Sequence, residues 1–381
     1  MIAETGIHLG IDAVGIKHSG GATVLKDLLA SATRDDRFRK ISVFCSPRRK
    51  RAFDLPSSNK VSEIECALSE SSRLWRLWWL SNGIRHDLRK AAVDVLLCLG
   101  GVGRGSPSVP HVTFIQQSLP FHPDALASCL GLSRLKMRLL FAMMRRSCRA
   151  SQAIIVQTPT MQRLVAEAFA VPDSRISVVL PPSYDLPRPT SPSPQLHAMR
   201  GVAQGLRMLY VGNQSGYKNV RLIVESMRAL RWRIPGLTLF LTWPEDDAFC
   251  RVEGVVGLGY LREGAILREA YELATAVIMP SLAETVGFPM LEAMNAGTPV
   301  LAADRPYAHD ICEDAAVFFN PFSAEDLISK VVRLMSDEGL RRGMILRGRD
   351  LMGRRNAGTS YERMLSIVAT AASLFAKSGG G

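Results

Sequence analysis

Hydrophobic positions along the chain fall into short continuous runs rich in β-branched residues, at 7–11 (IHLGI), 41–45 (ISVFC), 93–99 (VDVLLCL), 111–116 (HVTFIQ) and 153–156 (AIIV). Longer stretches with helical spacing separate them. Apolar runs without polar alternation belong to strands covered on both faces, so the pattern predicts a parallel sheet packed between helices. The pattern restarts at 207–212 (RMLYVG), 237–242 (GLTLFL), 276–280 (AVIMP), 299–303 (PVLAA) and 315–319 (AAVFF). Between the two series lies a Pro- and Ser-rich stretch, about 178–201, that reads as a linker. Two doubly wound α/β domains facing one another would enclose a cleft. Ligands of such sheets bind beyond the carboxyl ends of the strands, so the loops that follow strands are the places to look for chemistry.

Composition sharpens this picture. With 381 residues, 47% hydrophobic and 22% charged, the chain has enough apolar material for two cores, and disorder is excluded as the dominant state. The net charge of +12 sits in one half. Residues 1–200 hold 27 basic and 15 acidic side chains, whereas residues 201–381 hold 20 of each. The first domain is thereby directed at an anionic partner. Seven widely spaced cysteines with no CxxC pair form neither a disulfide framework nor a zinc site. The N-terminus shows no basic segment followed by an apolar one, and no run of 18 apolar residues occurs. The expectation is a cytoplasmic protein that does not span a membrane, with no metal site and no resident cofactor.

Three glycine-bearing loops stand out. Gly20 and Gly21 precede a helical stretch, where bare backbone N–H groups can meet a phosphate or simply make a tight turn. Gly100, Gly101, Gly103 and Gly105 lead through SPSVP into another strand rather than a helix, so this cluster reads as structural. The third loop, SLAETVGFPMLEAMNAGTP at 281–299, carries Glu284, then Gly287, Phe288 and Pro289, then a helix expected from about Met290 to Ala296 and closed by Gly297. Glu284 would lie outside the helix mouth and Glu292 in its first turn. Each acid has a plain explanation alone, a solvated loop carboxylate and a complement to the helix dipole. Together they could bracket a polyhydroxylated ligand whose phosphate meets the helix N–H groups.

Glu284 to Glu292 resembles the Glu-x7-Glu motif of retaining glycosyltransferases of family 4. The resemblance continues through PSLAETVGFPMLEAMNAGTPVLAADRPYAHDICEDAAVFFNPFSAEDL, to YVGNQSGYKNVRLIVESM at 210–227, and to the Gly20-Gly21 loop. It implies a GT-B fold, α/β with two Rossmann-like domains facing across a cleft. The N-terminal acceptor-binding domain would span 1–185, the linker 186–205, the nucleotide-sugar-binding domain 206–357, and a helix at 358–381 would cross back to the first domain. By the resemblance, Glu284 holds sugar hydroxyls and Glu292 the nucleotide ribose. Gly287, Phe288 and Pro289 present backbone to the sugar and diphosphate, and Lys218 neutralises charge on the leaving group. Gly20 and Gly21 contribute a further phosphate contact. The implied activity is retaining transfer from a nucleotide-diphosphate sugar to a saccharide acceptor, lipid-linked, in cell-surface polysaccharide synthesis. A GT-B sugar-nucleotide epimerase and a non-catalytic nucleotide-sugar-binding partner are the alternatives.

Two positions depart from the family pattern. No basic residue precedes Lys218 in GNQSGY, which leaves Asn213 or backbone to hold the diphosphate. Gln116 and Gln117 stand where many relatives have a histidine that contacts the donor sugar. Glutamine can hydrogen-bond a hydroxyl but cannot shuttle a proton near neutral pH. The basic surplus concentrates in LSRLKMRLLFAMMRRSCRA at 132–150 and beside three tryptophans in RLWRLWWL at 73–80. Interleaved basic and apolar residues suit an anionic membrane surface, which would place the protein on the inner face of the cytoplasmic membrane. The competing reading is a solvated helix face with its tryptophans in the core. Nucleic acid is not expected as a partner, because the basic stretch belongs to no nucleic-acid-binding motif.

Overall fold

The computed structural model describes residues 6–16, 20–46, 58–66, 84–103, 109–128, 131–182, 185–355 and 357–378. The chain forms two compact units. One comprises Met1–Phe121, Leu132–Pro181 and Gly358–Gly381, and the other comprises His122–Gly131 and Pro182–Ala357.

The first unit is built on seven parallel strands, β1 (Ile7–Asp12), β2 (Phe38–Cys45), β3 (Val61–Glu65), β4 (Val95–Cys98), β5 (His111–Phe114), β6 (Ala153–Val156) and β7 (Ile176–Val178), in the order 3-2-1-4-5-6-7. Every residue of the central strand β1 is buried, as its continuous apolar run predicts. β3 and β7 escape the hydrophobic pattern because both are edge strands. β3 reads VSEIE with its acids exposed, and β7 has three residues. The helix Pro159–Phe169 starts where Thr158 accepts the Met161 N–H at 3.2 Å, an N-cap worth about 1 kcal/mol. The helix Ala357–Lys377 packs within this unit through buried Met364, Leu365 and Val368, and Arg37 donates to Ser366 Oγ at 2.9 Å.

In the glycine cluster after β4, a Cβ on Gly103 would overlap Cys98 Sγ at 1.9 Å, and Gly101 has φ +71°. Close packing and backbone conformation account for both glycines. Gly105 and the tryptophan-rich segment 73–80 lie outside the described residues. The described cysteines are free thiols.

The second unit has six parallel strands, β8 (Arg207–Tyr210), β9 (Thr238–Leu241), β10 (Val255–Gly257), β11 (Ala276–Met279), β12 (Val300–Ala303) and β13 (Ala316–Phe319), in the order 10-9-8-11-12-13. β10, a three-residue edge strand, is again missing from the sequence pattern. Apolar clusters cover both faces of the sheet, one around Met290, Leu291 and Tyr307 and the other around Ile223, Met227 and Leu327.

The stretch 178–201, read from its prolines and serines as a linker, belongs to this unit from Pro182 onward. Leu196 and Met199 are fully buried. Glu269 accepts the Ser193 N–H at 2.9 Å and pairs with Arg200, while Gln195 donates to the Leu258 carbonyl at 2.8 Å. Composition misreads the segment because two apolar anchors and partners distant in sequence do the packing. His122–Gly131, which precedes the helix Leu132–Ala150, also belongs to the second unit, with Asp124 paired to Arg305 at 2.7 Å.

Candidate functional site

β8 and β11 are the adjacent strands from which the connections of the second sheet diverge to either side. Loops leaving such a pair part from one another and open a crevice at the carboxyl edge. The loop after β8 is braced from below. Trp243 Nε1 donates to the Gly212 carbonyl at 2.6 Å, and the Tyr210 hydroxyl donates to the Asn213 carbonyl at 3.0 Å. Asn213 is exposed, and its side-chain oxygen accepts the Ser215 N–H at 3.0 Å, which engages that oxygen in an Asx turn. A short turn, Gly216–Lys218, then hands over to Asn219, which takes φ +54° and donates to the Pro321 carbonyl at 2.8 Å before the helix Val220–Arg233 begins.

The loop after β11 is tied to this turn by backbone, since the Leu282 N–H donates to the Tyr217 carbonyl at 2.8 Å. Lys218 Nζ meets Glu284 Oε1 at 2.5 Å, with the two side chains 14% and 13% exposed. Burial works against the ammonium, but the neighbouring Glu284 carboxylate and Tyr217 outweigh it and hold the Lys218 pKa above its usual value. Lys218 also lies 5.4 Å from the Tyr217 ring centroid.

Gly287 sits in the left-handed region at φ +71° and caps a helix running Phe288–Ala296, closed by Gly297 at φ +75°. The helix thus begins two residues before Met290. Pro289 is its second residue and Glu292 its fifth, not a first-turn acid as expected. The left-handed glycine turns the chain early and accounts for the shift. Glu292 takes a hydrogen bond from the buried Tyr271 hydroxyl at 2.7 Å. Burial raises the Glu292 pKa, and the Tyr271 bond opposes the rise. Burial likewise raises the pKa values of Tyr210, Tyr271 and Tyr307, so these phenols remain hydrogen-bond donors. Tyr307, from the helix Pro306–Cys312 after β12, donates to the Ser281 carbonyl at 2.7 Å.

The structure therefore gathers Lys218, Glu284, Gly287, Phe288, Pro289 and Glu292 at the carboxyl edge of one sheet, with Asn213 turned outward beside them. Gly20, Gly21, Gln116 and Gln117 belong to the first unit. There the helix Gly20–Arg34 follows β1, and Gln116 Oε1 would lie 3.3 Å from a Cβ on Gly21. Sequence reasoning missed the three tyrosines that fix the loops of the second unit. Their signal was their position at strand ends and on covered helices, where a buried hydroxyl requires an acceptor. Chemically, these loops and the Phe288–Ala296 helix offer the Lys218 cation, held by Glu284, two carboxylates able to accept hydrogen bonds from hydroxyls and a helix start opened by glycine. Among the described residues no group of three or more His, Cys, Asp or Glu side chains is placed to hold a metal ion.

The helix Leu132–Ala150 of the first unit turns Met144 and Cys148 inward and exposes Arg134, Lys136, Arg138, Arg145, Arg146 and Arg149. Leu135 and Leu139 stand out among them, 63% and 48% exposed. A groove of 560 Å³ runs along Phe141, Arg145 and Arg149. No helix among the described residues is long and apolar enough to cross a membrane.

Residues 205–337 match the family model described as glycosyl transferases group 1. The chain is similar to O-antigen chain mannosyltransferase B of Escherichia coli, 24% identical over 242 residues that make up 60% of this chain and 63% of that protein. It spans less than two thirds of the length of the first curated relatives it matches. Among solved structures it is similar to WaaG, a glycosyltransferase involved in lipopolysaccharide biosynthesis, with a TM-score of 0.71 and 16% identity over 94% of this chain and 99% of that one. Alr3699/HepE of Anabaena, solved in complex with UDP-glucose, gives 0.69 and 16% over 96% and 100%. At these identities the likeness to the solved structures establishes the fold.

Proposed function

We propose that this chain, which has the GT-B fold and matches the glycosyl transferases group 1 model over residues 205–337, transfers a sugar from a nucleotide-diphosphate sugar to a saccharide acceptor in cell-surface polysaccharide synthesis. The observation that carries the reading is the pairing of Lys218 with Glu284 across two loops at the mouth of the Gly287-capped helix. A diphosphate entering there exchanges the Glu284 carboxylate for its own oxygens as the partner of Lys218. Glu284 is then released to accept sugar hydroxyls, and Glu292 to accept ribose hydroxyls. The first-turn N–H groups of the Phe288–Ala296 helix meet phosphate oxygens. HepE with UDP-glucose and the O-antigen mannosyltransferase support the substrate class by kinship of fold and of sequence.

Transfer proceeds with retention. The bond from the anomeric carbon to the diphosphate oxygen breaks, the acceptor oxygen attacks from the same face, and a phosphate oxygen takes the acceptor's proton. Lys218 stabilises the charge that grows on the departing diphosphate, a service a metal ion would otherwise supply. The Leu132–Ala150 helix, with its exposed arginines and leucines, rests on anionic lipid and brings a lipid-linked acceptor within reach, on the inner face of the cytoplasmic membrane. The test is incubation with UDP-, GDP- and ADP-sugars and lipid-linked oligosaccharides, with products resolved by mass spectrometry and the anomer assigned by proton NMR. Addition of one hexose in the donor's anomeric configuration supports the proposal. Inverted product, or no transfer from any donor, contradicts it.

A further inference from the structure

Two buried nitrogen atoms of the second unit, His122 Nε2 and Arg305 Nε, have no hydrogen-bond partner among the described residues. His122 is 8% exposed. Arg305 reaches Asp124 Oδ2 through Nη1 at 2.7 Å, which fixes the guanidinium while its Nε stays unused. The three groups act on one another. Burial and the Arg305 charge depress the His122 pKa against the pull of Asp124. At Asp124 burial works upward, but the Arg305 guanidinium and the Ala125 N–H hold the carboxyl below its ordinary value.

The cluster is built beside the loops of the candidate site yet shares no residue with them. Its first element, His122–Gly131, packs on the Gly216–Lys218 turn, where the Ser128 carbonyl lies 3.0 Å from a Cβ position on Gly216. Its second, Arg305, precedes the Pro306–Cys312 helix whose Tyr307 holds the Ser281 carbonyl in the Glu284 loop. Buried polar atoms left unpaired cost free energy, and native structures hold few of them, so these two, in residues close enough for the Arg305 charge to act on the imidazole, call for an occupant.

The charges select its chemistry. Guanidinium and carboxylate cancel and the imidazole is neutral at neutral pH, which favours an uncharged group over an anion. A hydroxyl fits, since its oxygen can accept from Arg305 Nε–H, and at His122 Nε2 it accepts or donates according to the imidazole tautomer, with the Asp124 carboxylate a further acceptor. We propose that His122, Asp124 and Arg305 form a saccharide-hydroxyl subsite separate from Glu284 and Glu292. The proposal rests on the transferase reading above. The hydroxyl belongs to the donor sugar or to the acceptor, and the experiment distinguishes the two.

His122→Phe keeps the ring volume and removes the nitrogens, whereas Arg305→Lys keeps the charge and removes Nε. Calorimetry with UDP, UDP-glucose, GDP and GDP-mannose measures how much the sugar adds to nucleotide affinity. Saturation-transfer NMR with free glucose and mannose reports on an acceptor position. Thermal melts confirm that each variant is folded. Loss of a charge-assisted bond predicts about a tenfold fall in one arm only. If the sugar increment falls while UDP and GDP bind as before, the subsite takes a donor hydroxyl. If the free-sugar signal falls with nucleotide and nucleotide-sugar affinities unchanged, it takes an acceptor hydroxyl. Folded variants with both readouts at the native level overturn the subsite. Failure of the native chain to bind any of these four ligands or ADP-glucose overturns the transferase reading instead.

Discussion

Lys218 Nζ lies 2.5 Å from Glu284 Oε1, and the two residues come from the loops after β8 and β11, neighbours at the divergence point of the second sheet. Both side chains are largely shielded from water, so removing one partner strands the other. Lys218→Met should destabilise the protein by about 3 kcal/mol, as breaking a buried pair does. Combining it with Glu284→Gln should recover part of that loss. A double-mutant cycle from urea melts should give a coupling of about 1–3 kcal/mol. Additive losses would show that the pair does not interact. Sugar transfer should be abolished in every variant regardless of how stability recovers.

Gly287 is the residue on which the helix start turns. A Cβ there would lie 2.7 Å from Met290 Cε, and the backbone is left-handed. Gly287→Ala should therefore cost about 1–2 kcal/mol for conformation alone, with a further loss from displacing Met290, and should weaken nucleotide-sugar binding. Gly353, inside the helix Glu338–Arg354, has an open Cβ position and no positive φ. Gly353→Ala should be neutral or stabilising by up to about 1 kcal/mol. Chemical denaturation of the two variants measures both effects.

The pH dependence follows from the Glu292 environment. Burial lifts its folded pKa above the ordinary value of about 4.3. The folded state therefore penalises the carboxylate at neutral pH, and this penalty is relieved as pH falls through the raised value. With Glu292 in its proposed role of accepting ribose hydroxyls, donor affinity should fall at a pH where an ordinary glutamate is still ionised. Tyr271→Phe removes the hydrogen bond that favours ionisation and should shift this loss to higher pH. Affinity titrations between pH 4.5 and 8 test the order of the two profiles.

The basic helix Leu132–Ala150 carries six exposed cationic side chains and no acid. Arg145→Glu with Arg146→Glu should reduce sedimentation with phosphatidylglycerol-containing vesicles by tenfold or more, given about 1 kcal/mol for each basic residue near an anionic surface. The native protein should leave pure phosphatidylcholine vesicles unbound. Equal binding to both vesicle types would remove the electrostatic basis of the surface.

The proposed neutralisation of diphosphate charge by Lys218 predicts independence from metal ions. Transfer should persist in EDTA, whereas Lys218→Met should not be rescued by added magnesium or manganese. Rates measured with and without chelator decide the matter.

The central strands were legible in the sequence because continuous apolar runs such as ISVFC and AIIV have one stable use, in a sheet covered on both faces. The edge strands β3, β7 and β10 were not, since VSEIE carries the polarity of a solvated edge and three-residue strands leave too little pattern. The helix of the candidate site was legible where backbone chemistry marks it. Gly287, Pro289 and Gly297 punctuate a helix, although the left-handed cap at Gly287 places its start two residues earlier than proline position alone suggests. The Arg305–Asp124 pair joins residues 181 positions apart in the chain, and no local signal could connect them. The tyrosine braces are likewise contacts between distant segments, as when Tyr271 holds Glu292.

The most direct test of the account is calorimetric titration of the native chain and Glu292→Gln with UDP-, GDP- and ADP-sugars. The account predicts micromolar binding of one nucleotide class by the native protein, weakened at least tenfold in Glu292→Gln at a melting temperature no lower than the native one. Equal affinity in the two proteins, or no binding by either, would contradict it.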